Sequence, residues 1–370
     1  MKFTEVRIYA LLLLVALGFS YQAFTAEGAP SATDTVVVFD PGKDGATSVD
    51  WTGERSAAHL EFSGPVDESE VWITAGRRQR IQAPAPPPEV PEAETESGDE
   101  APDDSAGSDL EAAPEPEPVY GEPELTSFPG NTTAQALAER FAPLTALRRF
   151  DSLSDEQIAE MGLSEAASHL AIEGGGRTFR LEIGAKAYGS SDLYAREPGS
   201  ATAYLLSRKV VGSLKSATTS LRDKNLFGFS ATDAHTASIQ TGGVEKPTLA
   251  RHLGRHDKDN AFWSTETGEA VDPALDALIK RVFEAKATKY LKTIDAPTEA
   301  DLEPLVALSF RNEHKELGSI AFARKLDSEK TDADSKAYSW YAKSTRSRGQ
   351  WVSVSKGVGT DLVDALSPLK

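Results

Sequence analysis

The chain has no cysteine, which excludes disulfides, thiolate metal sites and cysteine nucleophiles outright. Two methionines and five tryptophans in 370 residues leave little material for a Met-rich groove or a soft metal site. No Gly-x-Ser-x-Gly elbow, Walker loop or His-Glu-x-x-His pair occurs, so the familiar signatures of serine hydrolases, nucleotide-binding enzymes and zinc peptidases are missing. An excess of cations is also missing. The formal charge is −18, which argues against nucleic acid as a partner. That acidity is local: fourteen Asp and Glu and no Lys or Arg lie between Pro84 and Leu125, and without them the net charge falls to −4. The rest of the chain is close to electrically balanced.

What is present first is an apolar run, Ile8 to Phe24, with Lys2 and Arg7 before it and Glu27 after it. At 17 residues it lies at the lower edge of a membrane span. It reads as an uncleaved anchor or a cleaved signal peptide. Cutting after Ala26 or Ala23 would put Phe24 or Tyr21 where a peptidase wants a small residue, and cutting after Gly28 is the remaining site. The flanks therefore favour the anchor. The basic residues precede the span, so the body is expected outside the cytoplasm.

The segments expected from here are an anchor or signal peptide at 1–28, a strand subdomain at 33–82, a disordered acidic spacer at 83–128 and two α+β units at 131–229 and 230–370. In the first, Val36 to Phe39, His59 to Phe62 and Val71 to Ile73 read as short strands, followed by the basic cluster Arg77, Arg78 and Arg80. That cluster reads as a solvated strand end, with the acidic spacer and anionic lipid as the alternative things it faces. The spacer has ten prolines and almost no large apolar side chains, too little to offset the entropy of ordering it. A helix starts near Thr132 or Thr133, with Leu137, Phe141 and Leu144 on one face and Pro143 kinking or splitting it. Ser154 and Gln157 stand at capping-box spacing. Gly174-Gly175-Gly176 joins two alternating runs, so it predicts a hairpin turn and not a phosphate loop. A helix from Val210 to about Leu221 closes the unit.

The remainder walks through the same order again. Phe262-Trp263 answers Val71-Trp72, and a helix from Pro273, capped by Asp272, answers the one after Thr133. Val306 to Phe310 answers the strand at Leu170, and Ile320 to Arg324 answers Phe179 to Ile183. Trp340-Tyr341 answers Leu193-Tyr194, Trp351-Val352 answers Tyr204-Leu205, and Thr360 to Leu366 is the closing helix. The fold class expected is therefore α+β: two tandem related units of mostly antiparallel strands with packed helices, preceded by one transmembrane helix.

Two stretches carry candidate sites. In Leu221 to Phe229, Arg222 and Lys224 follow a helix and are expected to cap its carbonyls, with Asp223 paired to one of them. Between Lys336 and Trp351, Lys343, Arg346 and Arg348 interleave with Trp340, Tyr341 and Trp351, a pattern that suits a partner, a glycan, anionic lipid or single-stranded nucleic acid, the last the least expected of an exported protein. The bland version is two packed strands with a solvated loop at Ser344 to Gly349. His252 and His256 lie four apart, but Gly254 interrupts them and the preceding residues read as strand, so no metal site is assigned. Gly357-x-Gly359 is half of a dinucleotide fingerprint without the following strand–helix unit, and reads as the start of a helix. Asn131-Thr132-Thr133 matches a three-residue glycosylation acceptor. No catalytic residue, cofactor or metal is assigned.

One resemblance is carried by Gly162-Leu163, Leu181 to Gly184, Leu193 to Arg196, Ala203 to Leu206 and Leu221 to Phe227, with Met161 a departure where the pattern usually has Tyr. With these, the stretch from Asn131 to Leu291 resembles DUF4340, an uncharacterised domain of bacterial envelope proteins. The resemblance implies a single membrane anchor, the domain outside it, and an accessory role beside gliding-motility-type ABC transporters. The expected function is a non-catalytic, inner-membrane-anchored accessory or scaffold, touching the bilayer through residues 8–24 and an integral-membrane partner. The alternatives are a glycan- or anionic-lipid-binding module and a hydrolase with a scattered site.

Overall fold

The structure, a computed structural model, describes residues 35–64, 70–81, 119–241, 244–245, 249–254, 257–265, 272–327 and 337–367. The expected anchor at 8–24 lies outside these, as does the acidic stretch 82–118. Among the described residues no helix is long and apolar enough to cross a membrane.

The first half contributes β2 (Ala46–Thr52), β3 (Ser56–Ser63), β4 (Glu70–Ile81) and β5 (Val119–Pro129). After α1 (Thr132–Arg140) come β7 (Arg148–Phe150), α2 (Asp155–Glu160), β8 (Ser168–Gly174), β9 (Arg177–Lys186), β10 (Leu193–Arg196) and β11 (Ala203–Leu206). These strands form one nine-stranded antiparallel sheet in the order β5-β4-β3-β2-β8-β9-β10-β11-β7. A separate ribbon pairs β1 (Val36–Phe39) with β6 (Leu144–Ala146). Two helices, α3 (Arg208–Lys215) and α4 (Ala217–Ser220), end this half.

The second half contributes β12 (Thr236–Thr241), β13 (Val244–Glu245), β14 (Leu249–Gly254), β15 (Asp257–Thr265), α5 (Pro273–Glu284) and β16 (Ala287–Tyr290). Then follow a 3₁₀ turn (Glu299–Asp301), β17 (Glu303–Arg311), β18 (Glu316–Leu326), β19 (Tyr338–Ser344), β20 (Val352–Val354) and α6 (Lys356–Leu366). Their sheet runs β15-β14-β12-β17-β18-β19-β20-β16, with β13 beside β12. Strand for strand this is the order β4-β3-β2-β8-β9-β10-β11-β7 of the first sheet, which alone carries an extra edge strand, β5.

Local chemistry explains most of these elements. In β9, Leu181 and Ile183 are buried on one face while Arg180 stays out, the period-two pattern of a half-buried strand. Gly175 and Gly176 take φ +59° and +73° in the β8–β9 turn, a conformation glycine adopts without a Cβ penalty. Ser154 and Gln157 form both bonds of a capping box on α2, and Asp272 caps α5 with Pro273 at the first helical position.

Four expectations are corrected. Residues 33–82 are not a subdomain of their own: β2 pairs with β8 from Trp51↔Leu170 to Ser48↔Glu173, so they share a sheet with the unit expected at 131–229. Residues 119–128, assigned to the spacer, are strand β5, because Phe128 is buried and Gly76 lets the Glu124 carbonyl approach β4 closely. Asn131, not Thr132 or Thr133, caps α1 by accepting from the Ala134 N–H. The helix expected over 210–221 is two helices broken at Ser216, where the Ser216 and Ser220 hydroxyls bond nearby carbonyls in competition with the helix ladder.

Candidate functional site

The stretch Leu221 to Phe229 is the joint between the two sheets. Leu221 and Leu226 are buried, fixing the chain path. On one side the joint is stitched to the first half: Asp223 N–H donates to Pro129 O (2.9 Å) and Asn131 N–H to Leu221 O (2.8 Å). The Asn131 side-chain amide donates to Ser220 O (2.9 Å), so Asn131 caps the start of α1 and the end of α4 at once. That amide is engaged within the fold, which argues against the glycosylation match.

On the other side the joint is stitched to the second half. Ala287 N–H donates to Lys224 O (2.9 Å), and the Tyr290 hydroxyl donates to Asp223 O (3.0 Å). Phe227 and Phe229 pack onto Phe283 of α5 and Phe310 of β17, with ring centroids 4.5 to 5.9 Å apart. Such aromatic pairs add to their area burial about 0.5–1.5 kcal/mol each. One apolar core therefore runs through both sheets, joined by these rings.

A latch closes the joint from the far side. The turn after β19, residues 345–349, was expected to be solvated, but it reaches across to the first sheet. Arg346 donates to Gly130 O (3.3 Å) and Asp223 Oδ2 (3.4 Å), and its side chain and that of Asp223 are only 15% and 14% exposed. Arg348 lies 4.4 Å over the Trp72 ring and 3.2 Å from Glu61. The turn is stiffened from within, since the Ser347 hydroxyl donates to the Ser344 and Gln350 carbonyls. Beside the latch, Glu70, Trp72, Phe227, Phe229, Arg346 and Arg348 help line a hollow of about 300 Å³ between the halves.

The two candidate stretches thus meet, but in another manner than expected. Asp223 pairs with Arg346 from the other half and not with Arg222 or Lys224, because the joint turns its carboxylate toward the latch. Arg222 is half-buried and Lys224 is exposed. Trp340 is no surface residue: it is 7% exposed and packed beneath Gly359 of α6. Lys343 is bound to Glu299 and lies 4.8 Å over the Trp351 ring, and Tyr341 is half-exposed on the same strand. The basic–aromatic stretch is therefore not a free cationic face.

Burial pushes the Tyr290 phenol well above its ordinary range, with Asp223 adding to the effect and Arg346 and Arg222 opposing it. Tyr290 stays a neutral donor, suited to holding a backbone carbonyl and not to proton transfer. Sequence reasoning missed it, as it missed Gly130, because no local pattern marks a residue by its contact across 60 or more positions. The His252 and His256 side chains lie outside the described residues, and among the described residues no group of three or more His, Cys, Asp or Glu could hold a metal ion.

No curated protein and no solved structure matches the chain. Residues 125–305, from within β5 to the start of β17, match DUF4340, described as a domain of unknown function. The joint with its Leu221–Phe227 motif lies inside that match, and the chain is a DUF4340 domain-containing protein.

Proposed function

We propose that the chain is a non-catalytic accessory or scaffold protein of a bacterial envelope. Residues 8–24 anchor it in the inner membrane, its body lies outside the cytoplasm, and it works on an integral-membrane partner of ABC-transporter type. The observation that carries this reading is the fate of its charged and aromatic motif residues. Asp223, Arg346, Arg348 and the Phe227–Phe229 pair are all engaged in joining two sheets into one body. A joined double sheet transmits position and force, as a platform or spacer must. The shared strand order also supports descent from one repeated unit, with β5 and the acidic segment before it inserted in the first copy.

The test is crosslinking of the full chain in intact cells, membrane fractionation, and identification of what the chain carries with it. The expected result is a membrane pellet containing the uncleaved chain crosslinked to an integral-membrane protein. A chain found free in soluble extract, starting near Ala29 and carrying no such partner, would overturn the reading.

A further inference from the structure

At the far end of the first sheet lies a hollow of about 470 Å³ that plays no part in the joint. Four cations line it: Arg55 in the β2–β3 turn, Arg77 and Arg78 on β4, and Lys215 in the last turn of α3. Glu54 is the one acid among its lining residues. Its floor is the buried Trp51, whose indole N–H donates to the Ser56 hydroxyl (3.2 Å) and whose ring faces Lys215 Nζ at 5.6 Å.

These cations differ from the others at built positions. Arg196 pairs with Glu182, Arg324 with Glu303, Lys343 with Glu299 and Arg346 with Asp223. Among the described residues none of the four has a carboxylate partner. Arg55 lies over the Tyr120 ring (5.6 Å), and Arg78 Nε is buried with no hydrogen-bond partner. Strand pairing holds them together regardless: Ser56 faces Arg77, and Arg78 N–H donates to Arg55 O (3.0 Å). Burial, with Lys186 and Arg208 nearby, lowers the proton affinity of Lys215, the mark of a cation without compensation. Like charges gathered without partners oppose folding, and guanidinium forks match the geometry of phosphate and carboxylate.

We propose that this hollow binds an oligoanion presenting two or more phosphate or carboxylate groups, gripped by Arg77 and Arg78 from β4 and Lys215 from α3. The inference does not rest on the scaffold reading. Two sources supply that chemistry: an anion from outside, or the chain's own twelve acids between Glu89 and Glu117.

The experiment is calorimetric titration of the full chain with tripolyphosphate at fixed salt. Saturable binding is expected, weakened at least tenfold by Arg77→Gln and by Lys215→Gln. The double variant Arg180→Gln/Lys289→Gln, at exposed strand positions away from the hollow, should leave it unchanged. A second full-length protein carries Gln and Asn in place of the twelve acids. Tighter binding by it identifies the chain's own carboxylates as the competing source, and equal binding identifies an outside anion. Without ligand, Lys215→Gln should melt no lower than the wild type, since it removes repulsion. No saturable binding by either protein, or an equal loss in the control variant, would overturn the proposal.

Discussion

Gly359 offers the sharpest test of the packing described above. It lies in α6, one turn past the Ser355 cap, where replacement by alanine normally stabilises a helix by about 1 kcal/mol. Here the expected sign is reversed. A Cβ at this position would lie 2.1 Å from Trp340 Cδ2 and 2.3 Å from Cε3. Ordinary carbon contacts are about 3.5–4.0 Å, so helix or indole must retreat by about 1.4 Å. Trp340 has little room to do so, being buried between β18 and β20 and opposite Arg324. Overpacking of this kind costs about 1–3 kcal/mol, and the rigid ring places it at the upper end. After the helix gain, the net loss expected for Gly359→Ala is about 2 kcal/mol, or a melting temperature lower by about 4–8 °C for a body of this size. The assay is thermal unfolding followed by circular dichroism. Combining Gly359→Ala with Trp340→Leu should recover part of the loss, giving a clearly non-additive pair. A Gly359→Ala protein that melts at or above wild type would refute the contact, and with it the account of Gly359 as the residue that admits Trp340 beneath α6.

Three further outcomes are expected. Asp223→Asn and Arg346→Gln should each cost about 2 kcal/mol, with a coupling of about 1–2 kcal/mol in urea unfolding, because each leaves a largely buried partner unmatched; strict additivity would show that the latch does not depend on this pair. Tyr290→Phe should cost about 1 kcal/mol at neutral pH through the lost bond to Asp223 O. Because the folded phenol has a raised pKa, its stabilising contribution is complete below the unfolded value of about 10 and is lost as pH rises beyond it, so the variant's melting temperature should fall less steeply above pH ~10 than the wild type's; parallel curves would sink the idea. Gly76→Ala should free β5, since its Cβ would meet Glu124 O at 2.3 Å, and amide exchange over residues 119–128 should quicken while β8 and β9 stay protected.

Local chemistry was legible in the chain wherever a pattern is complete within a few residues. The capping box at Ser154, the Asp272-Pro273 helix start and the Gly174–Gly176 hairpin all follow from short-range hydrogen bonding and backbone sterics. Most strands were legible too, since apolar alternation and turn residues mark them. What the sequence could not say is which charges meet. Asp223 has Arg222 and Lys224 beside it, yet pairs with Arg346, because the burial of Leu221 and Leu226 and the path of the joint decide where its carboxylate points. Trp340 and Arg348 look alike as members of an aromatic–basic run. The pleat of β19 sends Trp340 under α6, while the turn after it carries Arg348 onto Trp72. The cluster of Arg55, Arg77, Arg78 and Lys215 was half visible, as Arg77 and Arg78 side by side on a strand. Only the antiparallel pairing of β3 with β4 and the packing of α3 over the sheet added Arg55 and Lys215 and made a hollow of it. Sequence determined the elements through contacts spanning a few residues, and tertiary structure decided the site because its partners lie up to 287 residues apart and meet only through burial.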